Sequence, residues 1–251
     1  MRIFDTIIFY NELELLKIRL NVLNPYVDCF VIVESHKTFT GKEKPLFYYD
    51  NKDMFKEFNH KIIHIVTDFV GNYGWANEAS QRNEIRRGLS GAHKDDIIMI
   101  SDLDEIPNLK HFDFSSILPG EIVGFNQQYY YYYLNVKMHL TQHITKAFRM
   151  EMLDKFSPQD IRGQINREWN DMGWHFSFLG DTKFIINKIN SFSHQDMNLP
   201  EYVDPVELQR RIDENKDLFD RSYGFEDVKI DSAYPQYIID NQDKLKHLIK
   251  Q

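Results

Sequence analysis

Ile97-Ile98-Met99-Ile100-Ser101-Asp102-Leu103-Asp104-Glu105-Ile106-Pro107 is the stretch whose reading decides the fold. Four apolar residues in a row, Ile97 to Ile100, have the length and β-branching of a fully buried strand. Three carboxylates within four residues follow, with only Ser101 between, and Pro107 closes the run. A buried strand that ends in acids puts charge at the carboxyl edge of a sheet, where open α/β sheets bind their ligands. In extended backbone Asp102 and Asp104 point the same way while Leu103 faces the core. Two hard oxygen donors side by side suit Mg²⁺ or Mn²⁺, which keep further positions for water and phosphate oxygens. A solvated acidic turn accounts for the same residues, so the reading depends on what surrounds them.

The chain before this stretch alternates strand and helix. Ile3 to Tyr10 reads as a strand, and Asn11 is placed to cap a helix over Glu12 to Asn24, with Leu13, Leu16, Leu20 and Leu23 at helical spacing. Asn24-Pro25 stops that helix, and Val27 to Glu34 is a second strand. Strand, helix and strand within about thirty residues make a βαβ unit with parallel strands. Pro45 to Tyr49 reads as a short edge strand, Met54 to Phe58 as a short helix, and Lys61 to Val66 as a third strand. A connector, Gly71-Asn72-Tyr73-Gly74, leads into a helix from Trp75 or Ala76 to about Leu89. No Gly-x-Gly-x-x-Gly fingerprint and no P-loop occurs, so neither dinucleotide nor P-loop chemistry is indicated. The class is α/β.

Beyond Pro107 the pattern changes. Glu121 to Phe125, Ile144 to Met150 and Gly173 to Phe178 are strand candidates, and five consecutive tyrosines run from Tyr129 to Tyr133. Strand alternation puts Tyr129, Tyr131 and Tyr133 on one face and Tyr130 and Tyr132 on the other. Such a face can stack a sugar ring, although most of the five are expected to be structural. Val206 to Phe219 and Gln236 to Ile249 read as helices. We expect one domain over residues 1–251: a ligand-binding half at 1–107, a second half at 108–200 and a helical tail at 201–251.

Bulk properties narrow the function. The chain has 251 residues and a net charge of −8, with no lysine or arginine tract, so a nucleic-acid partner is not expected. Cys29 is the only cysteine and lies in an apolar run, which reads as a buried thiol. No run approaches the roughly 18 apolar residues that span a bilayer, so no integral membrane segment is expected. Met1-Arg2-Ile3-Phe4-Asp5 lacks the features of a signal peptide, and the corresponding expectation is a cytoplasmic protein.

Several residues near the strand ends are candidates for binding. Arg82, in Gln81-Arg82-Asn83, offers a fixed guanidinium to phosphate or carboxylate, and Asn83 offers an amide to a base or sugar edge. Asn11 is as well placed to contact ligand as to cap its helix. Glu34 ends an apolar strand, where a carboxylate needs a partner; a uracil ring or ribose is one candidate. Gly173-Trp174-His175-Phe176-Ser177 carries His175, and Ser193-His194-Gln195-Asp196 carries His194; either imidazole can complete a metal shell begun by Asp102 and Asp104.

Taken in order, these motifs resemble glycosyltransferase family 17. They are Phe9 to Glu14, Phe30 to Ser35 with Thr38 to Lys42, Trp75 to Asn83, Ser101 to Pro107 and Gly173 to Ser177. The resemblance covers roughly residues 3 to 195 and is looser in the C-terminal helices. It implies a GT-A-like α/β/α sandwich with a mixed, mostly parallel sheet and C-terminal helices. It also implies a UDP-sugar donor (UDP-N-acetylglucosamine in animal members), a glycan acceptor, Mn²⁺ or Mg²⁺, and inversion at the transferred sugar. On that reading Asp102 and Asp104 hold the ion, Asp102 and Trp174 join the substrate contacts, and a separate carboxylate deprotonates the acceptor hydroxyl. Asp171 is the first candidate for that base, followed by Glu105 and Asp196.

Two other classes remain open on these residues. A strand followed by Asp-x-Asp also opens haloacid-dehalogenase-like phosphatases, with the first Asp as nucleophile, but Ile106 stands where those enzymes carry Thr. A non-catalytic carbohydrate-binding module would account for the tyrosines, without a need for paired carboxylates.

Overall fold

A computed structural model describes residues 1–68 and 74–251. Of the connector Gly71-Asn72-Tyr73-Gly74, the first three residues lie outside the described residues.

The first half is built as its apolar periodicity dictates. Strand β1 (Ile3–Phe9) leads through helix α1 (Leu13–Leu23) to β2 (Cys29–Ser35), and β1 and β2 are parallel. Helix α1 buries Leu16, Leu20 and Leu23 on the sheet. Its N-cap is Glu12 and no side chain caps it, so Asn11 is not the cap expected from the sequence. In place of an edge strand at Pro45 to Tyr49 there is a single helical turn, α2 (Phe47–Asp50), followed by a 3₁₀ segment, Lys52–Phe58. The cause is Glu34, whose buried carboxylate accepts the Tyr48 and Tyr49 N–H groups at 3.0 and 3.4 Å and so winds the backbone into a turn. Strand β3 (Ile62–Thr67) then lies parallel to β2.

The run after the connector forms α3 (Gly74–Asn83) and α4 (Ile85–Gly88), divided at Glu84, and β4 (Ile97–Asp102) lies parallel to β1. Ile97 and Met99 join the core on the α1 face, while Ile98 and Ile100 meet Ile85 and Leu89 on the other. Burial on both faces explains why the stretch is continuously apolar rather than alternating. Asp102 ends β4, Leu103 drops into the core, and β5 (Glu105–Pro107) starts at once.

The second half extends the same sheet. Strands β6 (Ile122–Tyr131) and β7 (Val136–Arg149) form a long antiparallel hairpin, and β7 also pairs antiparallel with β4. Helix α5 (Pro158–Arg162) starts with a capping box in which Ser157 and Asp160 exchange hydrogen bonds. Strands β8 (Arg167–Trp169) and β9 (Gly173–Ser177) add parallel to β6, and β5 pairs antiparallel with β9. The main order is β3-β2-β1-β4-β7-β6-β9-β5 in a ten-stranded sheet.

The tail departs from its helical expectation. After α6 (Thr182–Ile189), which precedes it, and α7 (Pro200–Val203) at its start, it holds α8 (Pro205–Asp213), the short strand β10 (Phe225–Asp227) on β7, and the single turn α9 (Gln236–Asp240). Helix α8 ends before Phe219 because Asn215 is left-handed (φ 50°) and Arg211 turns back to the Leu218 carbonyl at 2.6 Å. The tyrosine run follows strand alternation only to Tyr131. Tyr132 has φ 65°, and Tyr131 and Tyr132 are both buried against α6 and α8. Among the described residues, no helix is long and apolar enough to cross a membrane.

Candidate active site

A cleft of about 610 Å³ opens at the carboxyl ends of β1 and β4. These neighbours feed chain in opposite directions across the sheet, β1 toward β2 and β4 toward β7, which is the switch point where open α/β sheets bind ligands. Asp102 and Asp104 both line the cleft, as their spacing predicts.

Asp102 is clamped by two arginines. Arg82 Nη2 donates to Oδ1 at 2.7 Å and Arg162 Nη2 to Oδ2 at 3.1 Å. Arg82 is buried, and it also bonds Gln159 and, at 2.9 Å, Glu78. Arg162 forks onto both oxygens of Glu105 at 2.7 Å, and Glu105 in turn accepts the Asp102 N–H at 2.9 Å. Burial pushes the Asp102 carboxyl up, but the Arg162 and Arg82 guanidiniums outweigh it and bring it down to about 2.

Asp104 is held differently. Lys188 Nζ donates to its Oδ2 at 3.1 Å, and His175 Nε2 lies 3.4 Å from its Oδ1. Lys188 also reaches Glu12 at 3.2 Å. Burial again opposes ionisation, yet Lys188 and His175 hold the Asp104 carboxyl well below the usual carboxylate range. Conversely, burial pushes the Lys188 ammonium down, while Asp104 and Glu12 more than restore it and hold it above the ordinary lysine value.

Formal charge at the cleft is unbalanced. Asp102, Asp104, Glu12, Glu78 and Glu105 are joined by ion pairs or hydrogen bonds to Arg82, Arg162 and Lys188. The other cleft lysines have glutamates of their own, with Lys37 at 3.6 Å from Glu43 and Lys44 at 3.8 Å from Glu34. Five carboxylates thus share three guanidinium or ammonium groups, with the His175 imidazole beside Asp104 and Lys44 close enough to Glu12 to feel its charge. Among the described residues, no three His, Cys, Asp or Glu side chains converge as a metal group. Asp102 and Asp104 are hard oxygen donors of the kind that Mg²⁺ and Mn²⁺ take beside water and phosphate.

The family model for glycosyltransferase family 17 matches residues 1–250. This chain belongs to glycosyltransferase family 17. Two of its relatives are the β-1,4-mannosyl-glycoprotein 4-β-N-acetylglucosaminyltransferases of Mus musculus and Homo sapiens, each 23% identical over 99% of this chain. The chain spans about half the length of these relatives, 54% of the mouse protein and 55% of the human one. The structure of a 4-diphosphocytidyl-2C-methyl-D-erythritol synthase aligns with a TM-score of 0.42 and 12% identity, covering 67% of this chain and 88% of that one, a likeness too loose to bear on function.

Within this family 17 domain the other predicted residues separate into groups. Arg82 is in the cleft, but Asn83 is not: its Oδ1 accepts the Gln159 N–H at 3.0 Å and fixes α5 beside α3. Asn11 lies just past β1 with its Oδ1 buried and without a partner among the described residues. Glu34 is fully buried beneath α2, bonded to Tyr48, Tyr49 and His64, and does not face the cleft. Trp174 is a core residue, not a cleft residue, because its position on β9 faces inward. His175 reaches Asp104 without lining the cleft. His194 stands at the rim, where its ring meets the half-exposed Trp75 edge-on at 4.3 Å. None of Tyr129 to Tyr133 lines the cleft, so the sugar-stacking wall is not there.

The base candidates move most. Asp171 is exposed in a left-handed turn (φ 56°) between β8 and β9 and does not line the cleft. Asp196 is also outside it, 72% exposed. Glu105 is buried under the Arg162 fork, which gives it the job of holding Asp102 and its arginine in place. The cleft carboxylates besides the aspartates are Glu12 and Glu78. Sequence reading passed over both, as well as Arg162 and Lys188. Arg162 had one visible cue: the Ser157-Pro158-Gln159-Asp160 helix start, which ends one turn later at Arg162.

Proposed function

We propose that this domain transfers N-acetylglucosamine from a UDP-sugar to a glycan hydroxyl with inversion, assisted by Mn²⁺ or Mg²⁺. The observation that carries the reading is the pair of ionised aspartates at the β1/β4 switch point, in a cleft that also presents Arg82, Arg162 and Lys188. Family membership supports the reaction class, and the names of the two mammalian relatives support N-acetylglucosamine as the sugar.

Asp104, with Asp102 beside it, would hold the ion. When bound, the ion supplies positive charge to the diphosphate leaving group. The protein's own residues do the rest. The Glu105–Arg162 fork fixes Asp102, the anchored Arg82 and Arg162 present positive charge to phosphate oxygens without reorganisation, and Lys188 adds an ammonium to the same cleft. Inversion needs a carboxylate to take the acceptor proton from the face opposite the leaving group, and Glu12 and Glu78 are the cleft groups able to do so.

The test is a product assay. Protein incubated with UDP-N-acetylglucosamine, Mn²⁺ and a mannose-containing glycan should yield acceptor heavier by one N-acetylhexosamine on mass spectrometry, and chelation of the metal should stop it. Turnover unaffected by chelation would remove the ion from the account, and phosphate release from p-nitrophenyl phosphate without any sugar transfer would reject the transferase reading.

A further inference from the structure

The two aspartates are held by cations of different kinds. Asp102 is locked by planar guanidiniums that are themselves anchored, Arg82 by Glu78 and Gln159, Arg162 by Glu105 and, at 2.6 Å, by the Ile144 carbonyl. Asp104 is held by one ammonium, on a flexible four-carbon stem, at Oδ2, with the His175 imidazole 3.4 Å from Oδ1. That ammonium comes from the last turn of α6, a helix started by Asp181, which accepts the Phe184 N–H at 2.8 Å. Lys188 lines the cleft, its side chain is 20% exposed, and it spans Asp104 and Glu12 at nearly equal distances of 3.1 and 3.2 Å. Of the three Lys and Arg cations on the aspartates, it is therefore the one best able to change partners while staying in place.

We propose that Lys188 is a built-in competitor of the divalent ion: it neutralises Asp104 as long as no donor is bound and yields that carboxylate only when ion and nucleotide diphosphate arrive together. The inference rests on the metal-assisted reading above. Lys188 occupies the Asp104 oxygen that an ion would require, so an ion alone must displace a positive charge into a cleft whose other carboxylates, Asp102 and Glu78, are already taken by arginines, which leaves Glu12. A diphosphate changes this, because its oxygens accept the displaced ammonium at the same time as they complete the ion's shell. Lys188 is then a positioning residue that couples the two ligands. By linkage the ion tightens nucleotide binding by the same factor that the nucleotide tightens ion binding. The arrangement keeps Asp104 paired in the absence of donor, when an uncompensated buried carboxylate would be costly.

Free Mn²⁺ measured by electron paramagnetic resonance tests this on the whole protein, with UDP as the nucleotide probe. For wild type, UDP should tighten Mn²⁺ binding about tenfold or more, within the usual range of coupling between sites. For K188Q, Mn²⁺ alone should bind about tenfold tighter than to wild type, and the gain from UDP should shrink. K188R, which keeps a cation, should stay near wild type for Mn²⁺ alone. Equal Mn²⁺ affinity in wild type with and without UDP overturns the inference even if K188Q fails to fold, and so does equal affinity in wild type and folded K188Q. Absence of Mn²⁺ binding in every protein, with UDP present, overturns the metal-assisted reading as well and so separates the two failures.

Discussion

Arg19 and Asp5 form an ion pair with no access to solvent: Nη2 lies 2.6 Å from Oδ1 and Nε 2.8 Å from Oδ2. The same guanidinium donates from Nη1 to the carbonyls of Asp102, Leu103 and Glu105 at 3.0, 3.1 and 2.8 Å. One arginine on α1 thus ties β1 to the backbone of the acidic turn. It sets where Asp102 and Asp104 stand without touching either side chain.

Arg19→Met should therefore injure both stability and site. It strands Asp5 as a buried unpaired charge and releases three carbonyls, a loss of about 3–5 kcal/mol. Urea denaturation is the measurement, and the folded fraction should also lose UDP-sugar affinity. Wild-type stability in the variant would show that the pair is not needed to hold the turn.

Arg162→Lys tests the fork on Glu105. An ammonium cannot bond both Glu105 oxygens and Asp102 together, so the conservative charge should fail as a substitute. We expect kcat/KM for the donor to fall about tenfold or more, equal to about 1.4 kcal/mol of lost transition-state binding, with little change in the far-ultraviolet circular dichroism. Unchanged kinetics would mean that Arg162 acts only as a charge.

Asp102 also predicts how the protein responds to acid. Its carboxyl is held at about 2 in the fold against an ordinary 3.8, so the folded state favours the ionised form. The stabilisation is complete above about pH 4 and is lost as pH falls toward 2. Asp102→Asn removes it at every pH. The gap in melting temperature between wild type and Asp102→Asn should be widest near neutrality and close between pH 4 and pH 2. A gap that persists undiminished at pH 2 would contradict the ion pairs as its source.

Asp171→Asn should leave transfer near wild type, since Asp171 is exposed, lies outside the cleft and occupies a left-handed turn that Asn tolerates. Glu12→Gln and Glu78→Gln, assayed side by side, locate the base: one of them should lose transfer by 10²-fold or more, on the order of a general base's contribution. Loss of activity in Asp171→Asn instead would put the base outside the cleft.

Much of this was legible in the chain. The βαβ opening and the buried run Ile97 to Ile100 define the sheet edge, because apolar runs of that length have few other uses. The acidic pair at that edge follows from strand geometry alone. What the pattern hides are contacts between residues far apart in sequence. Lys188 on α6 and Arg162 on α5 look like ordinary solvated charges until the fold brings them 84 and 60 residues back to the aspartates. Asp171 attracted attention by sitting next to Gly173-Trp174-His175, yet Gly173 is there because a Cβ would fall 2.3 Å from the Ile106 carbonyl oxygen, which is packing and not chemistry. One available cue concerned Asp5: an acid inside an apolar strand demands a buried cation, and the next helix offers Lys17 and Arg19.

The central claim is that Asp104 belongs to the donor site. Isothermal titration of UDP-N-acetylglucosamine in the presence of Mn²⁺, into wild type and Asp104→Asn, tests it most directly. The account predicts measurable binding to wild type and a loss of about 100-fold or more in a folded variant, as for removal of a charged group that binds ligand. Equal donor affinity in the two proteins would contradict it.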